Sequence, residues 1–236
     1  MFESSLEDRL PSVANDLHGA KHIIDYRMLS DQVTTHLTKG LIFGRLQPGQ
    51  RINEAELARN LGISRNPIRE AVRRLEKRGL LVAVPRKGTF VRTFERRDID
   101  EMFSFRIVVE SFAVEQALPH MTDADLQRIA DFVNAMIAAA GKNDEVGVVE
   151  NDLALHIEIC KLSNNRQTLH AFANIQTEVQ MLITLAERRC ENLMAAARDH
   201  IPLIEALKTR DPAVATAAMR HHIEVSWHDL LKEFGK

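Results

Sequence analysis

Asp152 and His156 stand four residues apart in NDLALHIEIC, a stretch with helical apolar spacing, so both side chains emerge on one face about one turn apart. A carboxylate and an imidazole placed this way can share a divalent ion. Two further histidines fall on the last two helices that the pattern predicts, His200 near the middle of one and His222 on the other, with His221 and His228 as close competitors. One carboxylate and three neutral imidazoles suit a borderline ion such as zinc, nickel, cobalt or manganese, and leave positions for water or an anionic ligand. The chain carries 10 histidines, however, and on spacing alone Asp152 and His156 read better as a surface pair than as metal ligands. Arg106 and Glu110 are also four apart, among Met102, Phe103, Ile107, Val109, Phe112 and Ala113. An arginine in so apolar a helix needs a partner: Glu110 itself, or the carboxylate of a ligand in a central pocket. Cys160, one turn beyond His156, reads as a small buried hydrophobe or as a pocket neighbour.

A second set of residues suits phosphate and base edges. In Asn53 to Val91, Leu57, Ala58 and Leu61 make one face of a short helix, and Gly62 follows where a left-handed cap is needed. Ser64 can cap the next helix, Pro67 falls in its first turn, and Ile68, Ala71, Val72 and Leu75 form a core stripe. Beside that stripe Arg65, Asn66, Arg69 and Arg73 share an arc. Arginine's planar fork takes a phosphate or the O6 and N7 edge of guanine, and asparagine can read adenine. Runs at Leu81 to Val84 and Thr89 to Thr93 then flank a Pro85-Arg86-Lys87-Gly88 turn, a hairpin with a cationic tip. Helix, glycine turn, arginine helix and basic hairpin in that order describe a winged helix-turn-helix, with Arg65, Asn66, Arg69, Arg73, Lys87 and Gly88 as the expected DNA contacts.

Charge distribution agrees. Residues 45–97 hold 14 Lys or Arg against 5 Asp or Glu, a local charge of +9 in a chain that sums to −2. Such a basic segment on an otherwise acidic chain suits local phosphate binding whose strength falls with salt.

These residues have to be positioned by two units. Residues 1–24 are polar and unpatterned and read as a flexible arm; 25–94, opening on Leu29, Val33, Leu37 and Leu41, form the winged helix-turn-helix; 98–236 form a helical domain for effector binding and dimerisation. Helices are predicted at about 98–118, 122–140, 145–162, 166–190, 192–209 and 212–234, punctuated by Pro119, Gly141, Ser163-Asn164-Asn165 and Asp211-Pro212. The fold class is therefore mainly α, with an N-terminal winged helix-turn-helix and a C-terminal all-α antiparallel bundle. No apolar run spans a bilayer and no signal peptide opens the chain, so a cytoplasmic protein without membrane partners is expected. Cys160 and Cys190 are too few for a disulfide framework and read as reduced core thiols.

The segment LQPGQRINEAELARNLGISRNPIREAVRRLEKRGLL followed by PRKGTFV resembles the winged-helix signature of GntR-type bacterial regulators, specifically the FadR subfamily with the helical FCD ligand-binding domain. The resemblance covers residues 28–234. Arg65, Arg69 and Gly88 match positions that contact DNA in relatives, whereas Asn66 stands where a threonine is usual and Ala55 where a DNA-contacting arginine occurs. FRIVVE (105–110), NDLALHIEICKLSNN (151–165), RDHIPLIEAL (198–207) and AAMRHHI (217–223) resemble the FCD segments that supply an Arg-x-x-x-Glu pair and the metal ligands. The resemblance implies that Asp152, His156, His200 and His222 bind a divalent metal, with Leu155 in place of a usual phenylalanine and Pro202 close behind His200. It implies a homodimeric, ligand-responsive repressor of a palindromic double-stranded operator, released by a small carboxylate effector held by metal and Arg106. Two other readings stand beside this one: a metal sensor without organic effector, and a metalloenzyme carrying a DNA-binding head. The last lacks a general base, since Glu158 points elsewhere on its helix.

Overall fold

A computed structural model of the chain describes residues 29–187 and 193–234. The expected N-terminal arm, Cys190 and the end of the helix predicted over 166–190 lie outside the described residues.

The head consists of α1 (29–42), β1 (Arg51–Ile52), α2 (Glu54–Leu61), α3 (Arg65–Lys77), β2 (Leu81–Val84) and β3 (Gly88–Val91). Val33, Leu37 and Leu41 of α1 meet Ala58, Ile68, Ala71, Val72, Leu75, Leu81 and Val91 in a core that excludes water. The α3 stripe is buried as its spacing requires; at about 1.5–3 kcal/mol for each large side chain, this burial holds the helix to the head. Asn53 caps α2 by accepting from the Glu56 amide at 3.2 Å, and Gly62 takes φ +65°, so the chain turns sharply into α3. Two details depart from expectation. Ser64 occupies the N-cap position without a side-chain cap bond, and Leu61 is 39% exposed instead of joining the apolar face of α2.

The three strands form an antiparallel sheet in the order β1-β3-β2, with Arg51 opposite Phe90 and Val84 opposite Gly88. Two-residue β1 carries too short a pattern to be read from sequence. The hairpin tip bends because Arg86 adopts φ +64° while the Lys87 amide donates to the Val84 carbonyl at 3.0 Å.

From α4 (Arg96–Ala117) onward the chain is helical: α5 (Asp123–Ala140), α6 (Glu145–Leu162), α7 (Arg166–Glu187), α8 (Leu193–Arg198), α9 (Ile201–Lys208) and α10 (Pro212–Phe234). Caps sit where the punctuation placed them. Thr122 and Asp125 close a capping box on α5, Asp144 accepts from the Gly147 amide on α6, and Asn165 and Asp211 accept from the first amides of α7 and α10. The single helix expected over 192–209 is broken at Asp199-His200. Pro202 lacks an N–H and its ring would strike the carbonyl one turn back, so a new helix starts there, with His200 at its N-cap instead of near a helix middle.

α10 lies along α4, α5 along α6, and α7 against α4, α6 and α10. Trp227 of α10 stacks on Phe103 of α4 with ring centroids 6.1 Å apart and donates its indole N–H to Asp100 at 3.0 Å. The bundle thus brings α4, α6, the α8–α9 junction and α10 around one interior point. No helix among the described residues is long and apolar enough to cross a membrane.

Candidate metal centre and nucleic-acid interface

At that interior point one ligand atom from each of Asp152, His156, His200 and His222 lies within 4.8 Å of the other three. α6 supplies the first two, the α8–α9 break supplies His200, and α10 supplies His222. The four residues are therefore brought together, whereas His221 and His228 are exposed on α10, His228 bonding the Glu224 carbonyl. Asp152, His156 and His200 are buried to 5% exposure or less.

The separations suit an ion. The His222 and His156 Nε2 atoms are 3.4 Å apart, His156 Nε2 and Asp152 Oδ1 3.7 Å, and His200 Nε2 and Asp152 Oδ1 2.7 Å. Ligands about 2.0–2.2 Å from a common ion stand roughly 3.0–3.5 Å from each other, so the His200–Asp152 pair must open slightly and the His156–Asp152 pair close slightly. Imidazole orientation fits as well. Nδ1 of His156 meets Glu110 and Nδ1 of His200 faces the Ala196 carbonyl at 3.1 Å, an arrangement that leaves Nε2 free to coordinate. Asp152 Oδ2 is a buried acceptor without a protein partner in the described residues, as expected for an oxygen that a cation would satisfy.

Electrostatics inside this cluster are strongly perturbed. Burial alone would raise the Asp152 carboxyl, but hydrogen bonds from His156 and His200 prevail and hold it well below the usual carboxylate range. Burial would lower His156, yet Glu110 and Asp152 on its two sides push it up to about 9. His222 is driven well below its ordinary value, first by burial and then by the other two imidazoles.

Arg106 takes Glu110, the first of its two expected partners, and also faces a cavity. Its Nε donates to Glu110 Oε1 at 2.8 Å, while Nη2 stands 3.5 Å from His156 Nε2 on the wall of a cavity of about 90 Å³. The cavity is also lined by Ile183 of α7 and by Val225, Ser226 and Asp229 of α10. Glu110 was read from sequence only as a partner of Arg106: it grips Arg106 with one oxygen and His156 with the other. Phe172 of α7, whose ring faces His156 at 6.4 Å, was missed too. Neither contact with His156 has a local signal, because each joins separate helices. Cys160 is fully buried in the core, with its thiol pushed up by burial, and Glu158 pairs with Arg128 at 3.2 Å away from the cluster.

On the head, Arg65, Asn66, Arg69 and Arg73 are all exposed along one side of α3, and Arg69 is steered by Glu54 at 3.6 Å. Lys87 and Gly88 lie exposed at the hairpin. Gly88 holds φ +110°, and a Cβ there would stand 3.1 Å from Nε of Arg51, so only glycine keeps the wing tip closed over that arginine.

Comparison with known proteins agrees with this architecture. Residues 29–91 match the bacterial regulatory proteins of the gntR family, and residues 101–225, more than half of the chain, match the FCD domain. The chain is 28% identical over 195 residues to the HTH-type transcriptional regulator YdhC of Bacillus subtilis (strain 168), covering 81% of this chain and 86% of that protein. It is 28% identical over 188 residues to the Nta operon transcriptional regulator of Aminobacter aminovorans, covering 79% and 87%. The fold superposes on E. coli McbR/YncC with a TM-score of 0.75 at 23% identity, over 87% of this chain and 98% of that one. With a winged head at one end and an FCD bundle at the other, the chain belongs to the gntR family of DNA-binding bacterial transcriptional regulators, and it is not an enzyme.

Proposed function

We propose that this regulator, of the FadR subfamily, is a homodimeric repressor released by a small organic acid, and that Asp152, His156, His200 and His222 hold a divalent ion that helps bind that acid. The carrying observation is the meeting of these four side chains beside an inward-facing guanidinium. When bound, the ion would supply a Lewis-acid grip on one carboxylate oxygen. Arg106, held in place by Glu110, would orient the acid by charge-assisted hydrogen bonds from the Nη2 side. The cavity of about 90 Å³ restricts the acid to a few heavy atoms.

Residues up to Phe94 act as the reading head and those from Asp98 as the effector and dimerisation domain. Arg65, Asn66, Arg69 and Arg73 enter the major groove while Lys87 and Gly88 of the wing approach the backbone. Support for the dimer comes from α4, where Phe105, Val108 and Phe112 leave 43%, 66% and 42% of their surface exposed at i, i+3, i+7 spacing. A second copy packed there by two-fold symmetry would set two α3 helices on a palindromic operator.

The test is to purify the protein without added metal, determine its elemental content and identify small molecules released on denaturation. One ion per chain with a bound carboxylate, and loss of DNA binding when that acid is added back, supports the reading. A folded, metal-free protein that takes up no ion removes it. The small cavity also supports a second reading, in which the ion alone sets DNA affinity; DNA binding that responds to chelation in the absence of any organic acid selects it.

A further inference from the structure

We propose that Arg92 positions the DNA-reading head on the bundle, its guanidinium being the joint through which α4 and α7 set the placement of that head. Arg92 follows β3 directly. Its Nη2 donates to Asp98 in the first turn of α4 at 2.8 Å, and its Nη1 donates to Glu178 of α7 at 2.8 Å. Nη1 also lies 3.4 Å from the Gly79 carbonyl in the turn between α3 and β2, and the guanidinium sits 5.0 Å over the Phe94 ring. All three ion-paired side chains are at least two-thirds shielded, so this is a part-buried junction and not a fully exposed surface pair.

Glu178 reaches across to the head itself. A Cβ at Gly79 would come within 2.6 Å of Glu178 Oε1, and the same residue takes φ +71°, so the turn accepts the carboxylate only because it carries glycine. Among the ion pairs of the described residues, those of Arg92 are the ones that cross from head to bundle.

Two features make one junction decisive. No element from β1 to β3 packs broadly on a bundle helix. Beside the joint, α1 and the end of α3 are parted from α6 and α7 by a crevice of about 440 Å³, lined by Thr34, Thr38, Arg78, Glu150, Gln176 and Gln180. The head is therefore clasped at Arg92 and has room at the crevice. Both clasping helices run on to the cavity: Asp98 is about 12 Å along α4 from Arg106, and Glu178 about 7.5 Å along α7 from Ile183. A rigid helix carries a small shift at the cavity to the joint, where the crevice lets the head answer it.

In its DNA arm the inference rests on the dimeric reading, so the experiment has a second arm that does not. Operator duplexes selected from a random library are compared with duplexes holding one half-site, using the full chain and its Glu178→Gln, Arg92→Gln and Arg92→Lys variants. A loosened joint weakens full-site binding by at least about fivefold and leaves half-site binding within about twofold, because only the pre-set spacing of two heads is lost. Arg92→Lys, able to hold one carboxylate at a time, falls between. In parallel, trypsin cutting at exposed Arg96-Arg97 beside the joint is timed at unchanged thermal midpoint, and several-fold faster cutting in Glu178→Gln is expected. Equal losses on both duplexes, or no loss on either, overturn the proposal. If the wild type itself gains nothing from a second half-site, the dimeric reading fails, and an unchanged cutting rate then overturns the joint by itself.

Discussion

His156 makes the metal centre testable by proton counting. In the metal-free protein its imidazole stands between Glu110 and Asp152, which raise it from 6.5 to about 9, so at neutral pH it holds a proton that an incoming cation must displace. Asp152 is already ionised and His222 already neutral, so neither contributes a proton at neutral pH. Apparent affinity for zinc should therefore rise about tenfold per pH unit well below that value, and about 50-fold from pH 7 to pH 9, through His156. Stability follows with opposite signs in the two forms. A pKa raised on folding stabilises fully below the unfolded value and ceases to do so as pH climbs through the folded value. The metal-free protein should then lose on the order of 3 kcal/mol between pH 6.5 and 9, about 6–12 °C in thermal midpoint for a chain of this length. Other perturbed groups of the cluster do not intrude. Glu110 and Asp152 are lowered and lose their contribution only in acid, His222 acts below 6.5, and Cys160 acts only at and above about 9. At fixed free zinc the loaded protein should instead gain stability over the same range, because binding tightens. Calorimetry in two buffers of different ionisation enthalpy counts the released protons, and Glu110→Gln, which keeps shape and drops the charge, should lower that count by close to one. A metal-free midpoint that is flat or rising from pH 6.5 to 9, or a zinc affinity that ignores pH, would refute the reasoning.

The remaining predictions concern the head and the dimer. Arg69→Ala should reduce the slope of log affinity against log salt by about one and weaken operator binding by about 1–3 kcal/mol if the fork reads a base, while zinc uptake stays as in the wild type; fluorescence anisotropy over a salt series checks this. Gly88→Val, which forces a branched side chain into φ +110° against Arg51, should cost about 1–3 kcal/mol of head stability and reduce DNA affinity, measured by denaturant melts and anisotropy. Val108→Glu places charge in the middle of the exposed α4 stripe and should convert dimer to monomer in sedimentation, with the chain still folded by circular dichroism because the side chain is about two-thirds exposed on the single chain; a persistent dimer would move the interface elsewhere.

How far the sequence reached depended on whether each feature is local. The α3 stripe, the glycine turn at Gly62, the hairpin tip and most bundle caps depend on residues within one or two turns of each other, and each appears where spacing put it. Leu61 and the break before Ile201 went otherwise, because exposure is decided by what else packs nearby and because one proline two residues past His200 outweighs an otherwise helical pattern. Asp152 and His156 share one helix face and could be paired on spacing. His200 and His222 were separable from His221 and His228 only through resemblance, since nothing local says which imidazole of a bundle turns inward.

Glu110 shows the limit most clearly, because its sequence signal, an i, i+4 arginine, is real and yet describes half of what it does. Its second oxygen meets His156 from another helix, and that contact both turns the imidazole so that Nε2 faces the cluster and raises its affinity for a proton. The carboxylate that would prepare His156 as a ligand would thus also make proton and metal compete for it. Arg106 sustains that competition, since its charge lies beside the same carboxylate and holds it ionised. Arginine, glutamate and histidine therefore form one electrostatic unit, and a change to any of the three should be felt at the metal, in the cavity and in the pH profile together.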